Sequence, residues 1–465
     1  MISRRTLLRG SLGVAAGAGV AGLSAAGSAE AAIPKTDAEI YGVPTAQPLI
    51  SQRADPFITP RTNGMYYFTG SVPEYDRIAL RGASTIAGLP AAAETVIWQR
   101  PATGKMAGHI WAPEIHRINN RWYIYFAAGD SDDVFRIRTY VLESAKSDPL
   151  DASGWQLKGQ LLTEWDGFTL DSTTFAHRGR RYLVWAESEP EIAVNTSLYI
   201  AQMANPWTLS SKPTRITTPT KSWEIQGYKV NEGPAVLIRN GRIFLTFSAS
   251  ATDARYCMGL LTADADADLL DRDSWVKSPD PIFVTNTETS RFGPGHNSFT
   301  VAEDGVTDVL VFHARDYRDI TGDPLYDPNR HTRVQKIYWH PDGTPLFGVP
   351  VGDGGPIVRV SLADHFVRHT DDGLIVLERA PHDLAATQFR FEAQADGTEL
   401  IRSVDHPTQF LHAEAGVVKL DATGTTFRRE IVRNGVKIAV TGGGYLKQSG
   451  TAISVAPTAT VFRLS

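Results

Sequence analysis

Between residues 65 and 317 of this 465-residue chain, an aromatic strand followed by small or polar residues recurs five times. It reads MYYFTGS at Met65–Ser71, WYIYFAAG at Trp122–Gly129, RYLVWAES at Arg181–Ser188, IFLTFSAS at Ile243–Ser250 and VLVFHARDY at Val309–Tyr317. A turn signal precedes each copy: Asn63-Gly64, Asn119-Asn120, Arg178-Gly179, Asn240-Gly241 and Asp304-Gly305. With Phe68, Phe126, Trp185, Phe247 and Phe312 as anchors, the spacings are 58, 59, 62 and 65. A unit of short hairpin-linked strands cannot bury its own apolar faces, so copies must stack on one another. The period predicts an all-β fold with a five-bladed β-propeller over residues 36–355, against the alternative of a β-sandwich with coincidental aromatic strands.

A second series keeps the same period. Upstream of each anchor lies one ionisable residue among apolar, Gly and Pro neighbours: Asp55 in RADPF, Glu114 in WAPEIH, Asp171 in LDSTTF, Glu232 in NEGPA and His296 in GPGHNSF. Their spacings are 59, 57, 61 and 64. The first strand of a propeller blade lines the central channel, so equivalent positions of five blades converge near the axis. Gathering four carboxylates there is costly unless they have work to perform. Glycoside hydrolysis is such work: one carboxylic acid protonates the leaving oxygen and one carboxylate activates water or attacks carbon. A third carboxylate raises the acid's pKa by like-charge repulsion. Spacing alone leaves open which residue plays which part.

Composition removes other classes. With 46 Lys+Arg against 51 Asp+Glu the chain carries a net charge of −5, and no basic run offers a nucleic-acid surface. The single cysteine, Cys257, excludes an intramolecular disulfide framework and a Cys-based zinc site. Ten Trp, 15 Tyr and 19 Phe supply flat faces of the kind that pack on sugar rings.

The N-terminus reads as a targeting segment. Ser3-Arg4-Arg5-Thr6-Leu7-Leu8 precedes an uncharged Gly/Ala-rich run from Gly10 to Ala29, then Ala29-Glu30-Ala31. That is the pattern of a twin-arginine signal peptide over residues 1–31, with secretion to the extracellular space expected. Gly and Ala give the run little membrane-transfer energy, so no membrane association is expected after cleavage.

Past residue 357 the period shortens. Three segments each close on Thr-x-Phe-Arg, at Thr387–Arg390, Thr425–Arg428 and Thr460–Arg463, with Phe spacings of 38 and 35. Threefold repetition of short strands predicts a small β-trefoil over residues 358–465.

Asp55, Asp171 and Glu232, in the segments quoted above, resemble the catalytic trio of glycoside hydrolase family 43, a five-bladed propeller family. Further motifs look like its exo-acting α-L-arabinofuranosidases: GSVPEYDRI (Gly70–Ile78), HIWAPEIH (His109–His116), VNEGPA (Val230–Ala235), GPGHNSFT (Gly293–Thr300) and DPLYDPNRHTR (Asp323–Arg333). The resemblance implies inversion, with Asp55 as general base, Glu232 as general acid and Asp171 as the modulator of the acid's pKa. It also implies an acid–base separation of roughly 6.5–9.5 Å. His296 matches the family's central histidine, which faces a cation, often calcium, through waters; a channel histidine without metal is the other reading. No cofactor is expected for the chemistry itself.

Trp111, Glu114, Phe175 and Arg315 are candidate substrate-binding residues. Trp111 and Phe175 serve equally well as core aromatics, and Arg315 as a salt-bridge partner of Asp316 or of another blade. The C-terminal repeats resemble arabinofuranose-binding modules of carbohydrate-binding module family 42. That resemblance implies sugar pockets at His369 with Asp383 and at His412 with Asp421, and a lost pocket in the third repeat, where Lys447 stands. Expected partners are arabinan, arabinoxylan or arabino-oligosaccharides, acted on by a monomer. The rivals are a β-xylosidase or endo-arabinanase on the same propeller, and a non-catalytic sugar-binding protein.

Overall fold

The computed structural model describes residues 41–464 apart from 44, 341, 352–356, 380–384, 395, 405 and 407, so the signal segment and Asp383 lie outside the described residues. Every sheet is antiparallel, and the sheets of the propeller are meanders. Blade 1 comprises Ala54–Ile58, Tyr66–Ser71, Arg77–Ala83 and Thr95–Gln99; blade 2 comprises Gly108–Ile118, Arg121–Gly129, Arg138–Ser144 and Trp155–Gln160. Blades 3 and 4 begin at Thr169–His177 and Asn231–Arg239, and blade 5 comprises Phe292–Val301, Asp308–Arg315 and His331–Lys336. The start of the propeller covers the outer edge of that last blade: Leu49 and Ile50 donate to the Thr332 carbonyl, and Thr332 donates back to Ile50. This pairing closes the ring and removes an exposed strand edge.

The five anchor aromatics stand on the second strand of each blade and are at most 1% exposed, packed between neighbouring sheets. Burying one such ring contributes about 2–3 kcal/mol, so the periodic aromatics hold blade to blade.

Each inner strand carries a bulge at one equivalent point. Three residues advance on the inner strand for two on its neighbour between Ala54 and Phe57, Trp111 and Glu114, Leu170 and Thr173, Glu232 and Ala235, and Gly295 and Ser298. The first bulged residue has positive φ in all five blades: Asp55 (52°), Ala112 (45°), Asp171 (55°), Gly233 (53°) and His296 (43°). This corrects the expected register. Asp55, Asp171 and His296 are equivalent, whereas Glu232 stands one residue before its bulge and Glu114 two residues after. The prolines at 56, 113 and 234 follow the positive-φ residue, where a missing N–H costs no ladder bond.

The C-terminal strands from Ile357–Val358 to Arg463–Leu464 form one sheet network that closes as a seven-stranded barrel, the β-trefoil. Phe389, Phe427 and Phe462, the closing residues of its three repeats, are fully buried in a common core with Val367, Ile401 and Leu446. Among the described residues no helix is long and apolar enough to cross a membrane.

Candidate active site

A bulge releases the amide of its first residue from the strand ladder, and four of the five released amides organise one site. The Asp55 amide donates to His313 Nδ1 at 3.1 Å and the Ala112 amide to Ser71 Oγ at 2.8 Å. The Gly233 amide donates to Asp171 Oδ2 at 2.9 Å, and the His296 amide to Ser248 Oγ at 2.7 Å. Because Ser71 Oγ accepts from Ala112, its own proton is directed to Asp55 Oδ2, 2.5 Å away. Blades 1, 2, 4 and 5 thus each contribute a bulge amide to the network, and blade 3 contributes the Asp171 carboxylate that one of them holds.

The cluster lines a cavity of about 570 Å³ whose walls include Asp55, Trp111, Asp171, Glu232, His296 and Arg330. Its electrostatics separate the carboxylates. Burial penalises the Asp55 charge, but His296 Nδ1 and Arg330 Nη1, each 3.3 Å from Oδ1, with the Ser71 hydroxyl, hold it well below the usual carboxylate range. Asp55 is therefore an anion throughout the working pH range. Glu232 is pushed the other way, to about 7, by burial first and by the Asp171 charge second; the Tyr256 hydroxyl, donating to Oε1 at 2.7 Å, works against that rise. Asp171 rises to about 6 through burial and the Asp55 charge, despite His296 and the Gly233 amide. The two titrate as a linked pair.

The two histidines differ in charge state. Burial disfavours the imidazolium of His296, yet Asp171, Asp55 and Glu232 outweigh it and raise its pKa. His313, fully enclosed and near Arg330, is lowered well below the usual value. It is neutral, in keeping with Nδ1 accepting from the Asp55 amide, so its 3.5 Å approach to Asp55 Oδ1 is not an ion pair.

Other candidates fall in different places. Trp111 walls the cavity, stacked on His109 at 4.7 Å, and its indole Nε1 is enclosed with no partner among the described residues. Glu114 is buried deeper in the channel and bonded to His116 Nε2 at 2.9 Å. Phe175 is not part of this cavity; it stacks on Tyr182 near the far end of its strand. Arg315 is spent within the protein: Nε donates to Asp327 Oδ1 (3.0 Å), Nη1 to the Thr252 carbonyl (2.6 Å) and Nη2 to the Pro324 carbonyl (2.8 Å). Asp316 instead pairs with Arg291 and Arg333.

Cation binding at His296 has no direct ligand set. Its Nδ1 is directed at Asp55 and Asp171, and among the described residues no three His, Cys, Asp or Glu side chains converge as metal ligands. Any calcium there would be held through waters.

In the trefoil, His369 is buried against His406, ring centroids 4.9 Å apart, with Nδ1 3.1 Å from the Thr370 carbonyl. His412 and Asp421 share the hairpin Phe410–Glu414 and Val417–Asp421 and remain partly exposed. Lys447 donates to Thr458 at 2.6 Å.

Several site residues carry no period and escaped sequence reasoning: Ser71, Tyr75, Tyr256, His313 and Arg330. Arg330 Nη2 donates to the Tyr75 hydroxyl at 2.8 Å, and that hydroxyl donates to the Leu325 carbonyl at 2.5 Å. Ser71, Tyr75 and Arg330 lie inside the quoted motifs, and His313 beside an anchor; Tyr256 has no such signal.

The family model described as Glycosyl hydrolases family 43 matches residues 45–345. An extracellular exo-α-(1→5)-L-arabinofuranosidase of Streptomyces avermitilis is 57% identical over 346 residues, 74% of this chain and 72% of the relative. An α-L-arabinofuranosidase B of Pyricularia oryzae is 46% identical over 408 residues, 86% of this chain and 83% of the relative. The crystal structure of an α-L-arabinofuranosidase from Lactobacillus brevis superposes with a TM-score of 0.65 at 53% identity, covering 67% of this chain and 98% of that one. The matched span runs through all five blades and the carboxylates between them, and the chain belongs to glycosyl hydrolases family 43: it is a glycoside hydrolase.

Proposed function

We propose that the enzyme is an exo-acting α-L-arabinofuranosidase that removes terminal 1,5-linked α-L-arabinofuranose from arabinan or arabino-oligosaccharides with inversion. The observation that carries the chemistry is the split in protonation across one cavity: Asp55 pinned as an anion, Glu232 held as an acid up to about pH 7. The Asp55 carboxylate takes a proton from water as the water oxygen bonds to the anomeric carbon. The bond to the leaving oxygen breaks, and Glu232 gives that oxygen its proton. Asp171 keeps Glu232 protonated by its charge. Release of the Asp55 proton to solvent and reprotonation of Glu232 complete the cycle.

The arabinofuranose specificity is supported by the names of the relatives above. Exo action is supported by the segment Asp323–Arg330. Pro324 and Leu325 wall the cavity, held by Arg315 and Tyr75, and the Tyr326 hydroxyl lies 3.3 Å from His109 Nε2. In the trefoil, His412 with Asp421 is the better candidate sugar pocket, since His369 is enclosed. The extracellular relative and the Arg4-Arg5 motif support export by the twin-arginine route.

Debranched arabinan, linear arabino-oligosaccharides and xylo-oligosaccharides, with products resolved by size, test the reading. Arabinose as the sole early product is expected. Early oligomers would overturn exo action, xylose would move the substrate, and an initial product with retained anomeric configuration would remove inversion.

A further inference from the structure

A second cavity, of about 520 Å³, opens where the inner strands of blades 1, 2 and 3 end, at the end of those strands away from the bulges. Arg117, Arg181 and His116 line it, and no carboxylate does. Among the described residues neither guanidinium has an ion-pair partner. Arg117 lies over the Trp122 ring at 5.3 Å with Nη1 enclosed and unbonded, and Arg181 Nη1 donates only to Thr174 Oγ1 at 3.3 Å. The nearby carboxylate of Glu114 is buried behind the wall and bonded to His116. In a chain with a net charge of −5, a concave surface with two uncompensated guanidiniums is a place for an anion.

We propose that this cavity binds the carboxylate of an acidic sugar. Its volume is that of a small-molecule site and far exceeds a lone inorganic anion. Around the guanidiniums stand the exposed amides of Asn119 and Asn120, suited to hydroxyl groups, and the half-buried ring of Phe175, suited to the apolar face of a sugar. The guanidiniums take the carboxylate; the amides and ring take the rest. Burial lowers the pKa of Arg181, the mark of a charge awaiting a counter-ion. The site is separate from the catalytic carboxylates, so occupancy tethers the enzyme to acidic polysaccharide without occluding hydrolysis.

Calorimetric titration of the full chain with D-glucuronate, D-glucose and inorganic phosphate at matched ionic strength tests this. Glucuronate should bind one-to-one, glucose not measurably, and phosphate at least about tenfold more weakly. Arg117→Gln and Arg181→Gln should each weaken glucuronate at least about tenfold while hydrolysing a small aryl arabinofuranoside like the parent. Ala176→Trp, at an exposed lining position, should block the cavity without altering either guanidinium, and guards against a fold defect in the arginine variants. Phosphate as tight as glucuronate would reduce the site to a bare anion trap. Equal binding of glucose, or unchanged glucuronate binding in Arg181→Gln or Ala176→Trp, would overturn the proposal.

Discussion

The Gly233 amide donates to Asp171 Oδ2 at 2.9 Å, so the residue next to Glu232, the proposed acid, also grips the carboxylate whose charge helps raise the Glu232 pKa. Glu232 and Asp171 are linked twice, by charge and by backbone. Asp171→Asn removes the charge and keeps the shape. The Glu232 pKa should fall from about 7 toward the ordinary carboxylate value, moving the alkaline limb of kcat/KM to lower pH. Because burial still favours the protonated form, a fall of about one unit is expected, and the loss at pH 7 should be roughly fivefold. A profile whose alkaline limb stays in place would separate Asp171 from this role.

Tyr256 acts on the same proton with opposite sign. Its hydroxyl stabilises the ionised form of Glu232, so Tyr256→Phe should raise the Glu232 pKa and move the alkaline limb upward. The ring, stacked on His313 at 5.7 Å with planes 6° apart, remains as a spacer. Asp171→Asn and Tyr256→Phe shifting the limb in one direction would contradict the hydrogen-bond account.

Much of this arrangement was legible in the chain because blade repetition writes a period into it. Asp55, Asp171 and His296 occupy one structural position and were found by spacing alone. Glu232 and Glu114 were found too, but in the wrong register: spacings that vary from 57 to 64 with loop length cannot resolve a shift of one or two residues. The prolines at 56, 113 and 234 were the visible trace of the bulges that set the register. Phe175 misled because it is close to Asp171 in sequence; four residues along a strand is roughly 13 Å, enough to reach another cavity. Tyr256 and His313 meet only when blades 4 and 5 pack, and no local pattern announces that.

Arg315 is spent on bonds within the protein, which makes it a positioning residue in the proposed reaction. Its three bonds fasten the segment that walls the cavity to blades 4 and 5. Arg315→Met keeps much of the apolar stem and leaves Asp327 without its guanidinium, so a stability loss of about 3 kcal/mol is expected from thermal or denaturant unfolding. KM for arabino-oligosaccharides should rise more than kcat falls, and early products longer than one sugar should appear as the wall loosens. Unchanged product length with lowered stability would confine Arg315 to a folding role.

Gly233→Ala is the sharpest test of the bulges. The position has φ +53°, and an added Cβ would stand 3.1 Å from His296 Cγ and 3.2 Å from His296 Nδ1. Ala112 holds the same conformation in blade 2, so the backbone cost alone is about 1–2 kcal/mol and the chain should fold. The imidazole must yield, and with it the cation that keeps Asp55 ionised, while the Gly233 amide draws away from Asp171. The Asp55 pKa should rise and bring an acid limb into the measurable range as the alkaline limb shifts. Activity should fall about 10²-fold, beyond anything the stability change explains. A folded Gly233→Ala enzyme with the parent's kcat and pH profile would show that the released amides do not organise the catalytic carboxylates.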